Sequence, residues 1–245
     1  MNELVAGIDL CDEYTQVNCN DEENTWTFPT VLCRHKVSGT WSVGEDAYAQ
    51  TLRGEGSLTD KLVKLVLKEG TATLEGIRYT AVELLERFLE RVLWQVKKNL
   101  GTEAGFQELV FTVRSLDERL TEALYSCGEK LGVDRARIRI IGHTEGLIYY
   151  MLSQKKEIWS GNVGLFDLSE QELRYYEMKV QRGLKQNAVL AEFERIEESF
   201  SLDILETPSG AKLGDKILCT CAERLMQRKL YSAVFLMGKG FEKRE

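Results

Sequence analysis

The sequence predicts a mixed α/β protein made of two like halves, and three observations carry that prediction. Each half opens with short apolar or alternating runs of strand length that show no helical period. Each then continues into an amphipathic helix followed by a buried strand. In each, the first strand ends in an aspartate, in Gly7-Ile8-Asp9-Leu10 and again in Leu165-Phe166-Asp167-Leu168. A repeated order of elements says more about organisation than any single segment does.

Taken in order, residues 5–10 are a short apolar run, and 14–19 alternate after a tight polar break. Residues 26–32 form a third β-rich run, and 40–43 a fourth that stops before Gly44. Residues 62–67 predict a short helix ending at Gly70. The strongest helix signal covers 80–99, where Leu84, Leu85, Phe88, Leu89, Val92, Leu93 and Val96 recur at helical spacing. Thr80 and Glu83 form a capping box there, hydroxyl and carboxylate each satisfying a backbone amide left over at the helix start. Residues 109–113 read as a buried strand, and Ser115 with Glu118 as the next cap. The helix that follows turns Leu120, Ala123, Leu124, Cys127 and Leu131 inward and ends at Gly132. Residues 138–141 are a strand and 144–153 a short helix. The second half offers strands at 162–168, 172–178 and 189–193, a helix at 211–229, and a buried strand at 233–237 closed by Gly238. This divides the chain into domains 1–155 and 156–245, the second lacking the last helix-strand-helix of the first.

Composition narrows the function classes. The 245 residues are 43% hydrophobic and 29% charged, enough for a sizeable core and unlike a disordered chain. A net charge of -7 supplies no basic field to recruit nucleic acid or an anionic membrane. No apolar run approaches the roughly 18 residues of a membrane span, and Met1-Asn2-Glu3-Leu4-Val5 lacks the basic start of a secretory leader. The six cysteines, scattered mostly through apolar runs, read as reduced thiols serving as small hydrophobes, which implies a cytoplasmic protein. Cys219-x-Cys221 is not a metal or redox spacing, and two histidines leave little room for a zinc site or a histidine triad. The basic stretch 135–139 and Lys61, Lys64 and Lys68 read as solvated surface, and the pairs Tyr149-Tyr150 and Tyr175-Tyr176 as core or interdomain aromatics.

Chemistry is most concentrated at the two strand-end aspartates. Ligands of open α/β sheets gather beyond strand ends, so Asp9 and Asp167 facing one cleft would suit a hydrated Mg²⁺. The plainer alternative is that both aspartates simply begin turns. The order of elements resembles the superfamily of sugar kinases, seventy-kilodalton heat-shock ATPases and actins. Gly7-Ile8-Asp9-Leu10 looks like its first phosphate motif and Gly164-Leu165-Phe166-Asp167-Leu168 like its second. The run from Ile140 through Glu145 to Tyr150 resembles the first connecting motif, and Ala233 to Phe241 the adenosine motif.

The resemblance implies a duplicated ribonuclease-H-like (actin-like ATPase) fold, two mixed β-sheets with flanking helices, the second domain incomplete. It implies ATP or ADP bound with Mg²⁺ and at most weak ATPase activity. On that reading Gly7 lies in the first phosphate motif, and Asp9 and Asp167 hold the metal through water. Glu145 sits where the family positions the attacking water, with His143 as the other candidate, and Gly238 and Gly240 let the backbone approach the nucleoside.

The chain also departs from the pattern. The glycines that wrap phosphates in the family are replaced by Cys11-Asp12-Glu13 and by Ser169-Glu170-Gln171-Glu172. Carboxylates so placed repel a triphosphate by about 1 kcal/mol each even in high dielectric. Two functions follow from the sequence: a nucleotide-binding module with degenerate phosphate loops, or a pseudo-ATPase scaffold that binds a protein partner without nucleotide. The apolar face left by the incomplete second domain calls for a further C-terminal segment or another chain.

Overall fold

The computed structural model describes residues 4–20, 25–153, 161–169, 172–182, 189–194, 199–201, 219, 223, 231–238 and 241. It comprises two units, Met1–Tyr150 and Met151–Glu245. Both are mixed α/β or β structures built on a mixed sheet. No helix among the described residues is long and apolar enough to cross a membrane.

The first unit runs β1 (Leu4–Leu10), β2 (Tyr14–Cys19), β3 (Thr25–Pro29), β4 (Leu32–His35), β5 (Trp41–Val43), α1 (Gly44–Leu52), β6 (Gly56–Thr59) and α2 (Leu62–Leu67). It continues through β7 (Thr71–Leu74), β8 (Ile77–Thr80), α3 (Ala81–Leu100), β9 (Phe106–Val113), α4 (Glu118–Lys130), β10 (Ile138–Gly142) and α5 (His143–Ser153), whose last residues fall in the second unit. The main sheet has the order β10-β9-β1-β2-β3. The β1-β2-β3 part is antiparallel, whereas β9 pairs parallel with both β1 and β10.

Alternation along β1 sets the layering. Leu4, Ala6, Ile8 and Leu10 are buried, while Val5, Gly7 and Asp9 point to the other face. The buried side joins one apolar core with α3 and α4, to which Leu84, Phe88, Val92, Leu120, Leu124 and Cys127 contribute. Helix α3 begins as its sequence predicts. Thr80 Oγ1 accepts from the Glu83 amide at 3.3 Å, and Glu83 Oε2 accepts from the Thr80 amide at 2.8 Å. Its far end is closed by Gly101 in the left-handed conformation.

Several sequence expectations need correction. The run 26–32 is not one strand: β3 ends at Pro29, which has no amide to extend the ladder, and β4 starts at Leu32 in a separate sheet of order β5-β4-β6. The predicted fourth strand, now β5, therefore belongs to that satellite and not to the main sheet. Helix α1 has only Gly44 and Ala47 buried, so it lacks the apolar stripe by which helices are read. The β7–β8 hairpin turns on Glu75 and Gly76, both at positive φ, a turn signal that the reading by apolar runs passes over. The α4 cap is Asp117 rather than Ser115: its Oδ1 accepts from the Arg119 amide at 2.9 Å, because it stands directly before the first helical residue.

The second unit contains β11 (Gly161–Ser169), β12 (Glu172–Arg182), β13 (Val189–Glu194), β14 (Ser199–Ser201) and β15 (Ala233–Met237). Its sheet has the order β13-β12-β11-β15, with β14 pairing β12. Strands β11, β12 and β13 are antiparallel and β15 runs parallel to β11. This repeats, in order and direction, the β3-β2-β1-β9 part of the first sheet. Of the predicted helix at 211–229, only Cys219 and Glu223 are described, both helical; the rest lies outside the described residues.

The two candidate caps of α4 separate in a simple experiment. Asp117→Ala should lower the thermal midpoint, whereas Ser115→Ala should leave it unchanged, as read by circular dichroism.

Candidate functional site

Strands β1, β9 and β10 run parallel, so their carboxyl ends share one edge of the sheet, the place where α/β sheets collect ligands. Register brings three residues together there. Asp9 pairs with Thr112, and Thr112 with Ile141, two residues before His143 opens α5. Thr112 Oγ1 donates to Asp9 Oδ1 at 2.9 Å, and His143 Nε2 stands 2.7 Å from the same oxygen. The imidazole side chain is 11% exposed and the carboxylate 44%. Burial acts to raise the Asp9 pKa, but the hydrogen bond and charge of His143, with the Thr112 hydroxyl, outweigh it and hold the carboxyl below its ordinary range.

Cys11 completes the cluster: one ligand atom each from Asp9, Cys11 and His143 lie within 4.8 Å of one another. The backbone holds the thiol near Asp9 because the Cys11 amide donates to the Tyr14 carbonyl at 3.2 Å, closing the β1–β2 turn. Helix α5 approaches the strand ends through Gly146, where a Cβ would come within 3.1 Å of Thr112 Cγ2. The motif reading offered His143 as a candidate and placed Cys11 in the turn after Asp9, but not the part of Thr112 nor the contact among these side chains. That contact follows from strand register, which alternation and motif spacing do not specify.

The two acidic residues beyond Cys11 behave differently. Asp12 is 8% exposed, and its carboxylate accepts from the amides of Val63 at 2.8 Å and Lys64 at 3.2 Å. It thus caps α2, whose own N-cap residue Lys61 makes no side-chain cap. The expectation that Asp12 would confront a bound phosphate is corrected, since its charge is engaged by backbone amides. Glu13 is exposed.

The remaining predicted residues fall as follows. Glu145 is exposed and accepts from Tyr149 Oη at 3.3 Å, so it is His143 that meets Asp9. Gly7 lies on the Asp9 face of β1, exposed, with open space where a Cβ would stand. In the second unit Asp167 is 3% exposed, opposite Arg174 on β12 and Met237 on β15. Gly238 follows at φ +91, where a Cβ would clash with the Leu168 carbonyl and come within 2.8 Å of Asp167 Oδ1, so glycine is required. Gly240 lies outside the described residues. Tyr175 and Tyr176 are buried as expected, but Tyr149 and Tyr150 are each 59% exposed and belong to no core. Cys19, Cys33 and Cys127 are buried, and burial raises the Cys127 pKa, in keeping with their reading as small hydrophobes.

A family model described as the C-terminal part of a family of unknown function, DUF5716, matches residues 13–245. The chain belongs to that family. No curated protein matches it. The DUF5716 C-terminal match takes in Thr112, His143, Asp167 and Gly238 and begins just after Asp9 and Cys11.

Two outcomes test these assignments. Asp12→Ala leaves the first amides of α2 unpaired and should destabilise the first unit by about 1–3 kcal/mol in urea titrations. Because the folded Asp9 pKa lies below its unfolded value, its contribution is present above the ordinary carboxylate pKa and disappears as pH falls through the folded value. Wild type should therefore be more stable than Asp9→Asn at about pH 6, with the gap closing near about pH 3.

Proposed function

We propose that this chain is an actin-like scaffold that acts through contact with a protein partner, its former nucleotide site rebuilt around Asp9, Thr112 and His143. The actin-like part of the reading is supported by the repeated sheet, three antiparallel strands followed by a strand parallel to the first, in both units. In the first unit a fifth strand extends that pattern on the parallel side.

The loss of nucleotide binding rests on one observation, the 2.7 Å approach of His143 Nε2 to Asp9 Oδ1. The resemblance would have Asp9 face the water shell of a nucleotide-bound Mg²⁺. Here Asp9 Oδ1 is already met by an imidazole and a hydroxyl, and Mg²⁺ gives up its waters reluctantly. The turn after β1 adds to the argument. It contains no glycine, none of residues 11–14 has positive φ, and the Cys11 amide is committed to Tyr14. A phosphate cradle needs free, converging amides, which positive φ makes available. These features of the first unit support the reading without a bound triphosphate.

Two observations favour the second reading, an ATP- or ADP-binding module with Mg²⁺ and at most weak hydrolysis. Asp9 remains 44% exposed, and Gly7 leaves open space two positions away on the same face. Thermal melting with millimolar ATP and MgCl₂ decides between them. The scaffold reading expects no shift. A saturable rise, about 2.7 kcal/mol at a hundred times Kd, that disappears in Asp9→Asn would establish the nucleotide module instead.

A further inference from the structure

We infer that Asp9, Cys11 and His143 form a binding site for a divalent d-block cation, zinc by preference. The inference rests on three ligand atoms and their chemistry, and stands whether or not the chain is a scaffold.

The three donors come from two segments far apart in sequence, the end of β1 and the start of α5, and the parallel register of β1, β9 and β10 brings them to one point. Zinc takes nitrogen and oxygen ligands at about 2.0–2.2 Å and sulfur at about 2.3 Å, so tetrahedral ligand atoms stand about 3.3–3.8 Å apart. The observed cluster spans at most 4.8 Å, with Asp9 Oδ1 and His143 Nε2 in contact at 2.7 Å. Binding requires that this close pair open by roughly half an ångström and the widest pair draw in, movements within reach of side-chain torsions about Asp9 and Cys11.

Ligand type selects the ion. Thiolate and imidazole favour zinc and its neighbours, whereas Mg²⁺ and Ca²⁺ seek oxygen alone. The aspartate that a nucleotide-binding relative would turn toward magnesium thus stands beside a thiol and an imidazole here. Thr112 supplies the outer support common at such sites: its hydroxyl donates to Asp9 Oδ1 at 2.9 Å and fixes the carboxylate. All three ligand residues are partly exposed, which leaves an entry path and room for water in a fourth position. The sequence holds only two histidines, but a mixed aspartate-cysteine-histidine set needs one imidazole.

The test uses the full chain, stripped of metal and titrated with Co²⁺ and then Zn²⁺. The expected result is one equivalent of Co²⁺ with a thiolate-to-cobalt charge-transfer band, displaced by Zn²⁺ and unaffected by a large excess of Mg²⁺. Cys11→Ser should abolish the band and weaken Zn²⁺ binding about 100-fold or more, and Asp9→Asn and His143→Gln should weaken it at least about tenfold. Cys219→Ser, which removes an exposed thiol elsewhere, should change nothing. Circular dichroism of Cys11→Ser, a near-isosteric change at a partly exposed position, verifies that the variant is folded. Absence of the band, its persistence in Cys11→Ser, its loss in Cys219→Ser, or displacement by Mg²⁺ would each overturn the site. The cobalt titration reads metal at the thiolate without nucleotide, and the melting experiment reads nucleotide with Mg²⁺, so the two readings fail separately.

Discussion

The first unit is organised by the two-sidedness of β1. An extended strand sends successive side chains to opposite faces, so the residues that anchor it in the core cannot also carry chemistry. Leu4, Ala6, Ile8 and Leu10 take the core side beneath α3 and α4. Asp9 is thereby committed to the opposite face, at the end where the parallel partners β9 and β10 also terminate. A register slip by one residue would bury the carboxylate and expose four apolar side chains, which makes the placement of Asp9 a consequence of hydrophobic burial. Thr112 and His143 then reach it because parallel pairing aligns three carboxyl ends.

Two carboxylates only three positions apart meet opposite fates. Asp9 stays at the strand-end cluster, partnered by a hydroxyl and an imidazole. Asp12, across the turn, is drawn to the amides of α2 and fixes that short helix against the β1–β2 hairpin. A carboxylate buried on backbone amides loses most of its reach as a free charge, because its field is answered locally. Counting acidic residues near a presumed phosphate therefore overstates repulsion. Direction matters more than number.

The second sheet repeats the order of the first but not its chemistry. Asp167 occupies the position of Asp9, one residue short of the corresponding leucine, yet it is buried and its parallel neighbour is Met237 in place of Thr112. Gly238 follows at positive φ, pressed against Leu168 and Asp167. Equivalent topology has thus produced a partly exposed polar cluster in one unit and a closed, glycine-dependent strand end in the other. A repeated strand order does not bring the same side-chain chemistry with it.

Elements with strong patterns were legible from residues alone: β1 and β11 by their apolar runs, β2 by alternation, α3 by its apolar stripe and capping box, and α4 by its inward face, whereas β15 is a strand as expected but not a buried one, since Val234 and Leu236 are exposed. Such signals are local, and local burial dictates them. A repeated run of three strands, a helix and a strand was legible in the list of elements, whereas the matching sheet order came from pairing. What required tertiary structure were the satellite sheet of β4, β5 and β6, the use of Asp12 as a distant cap, and the meeting of Asp9, Cys11, Thr112 and His143. Each depends on which strands pair and in what register, a choice made by the whole core and written in no short stretch of the chain.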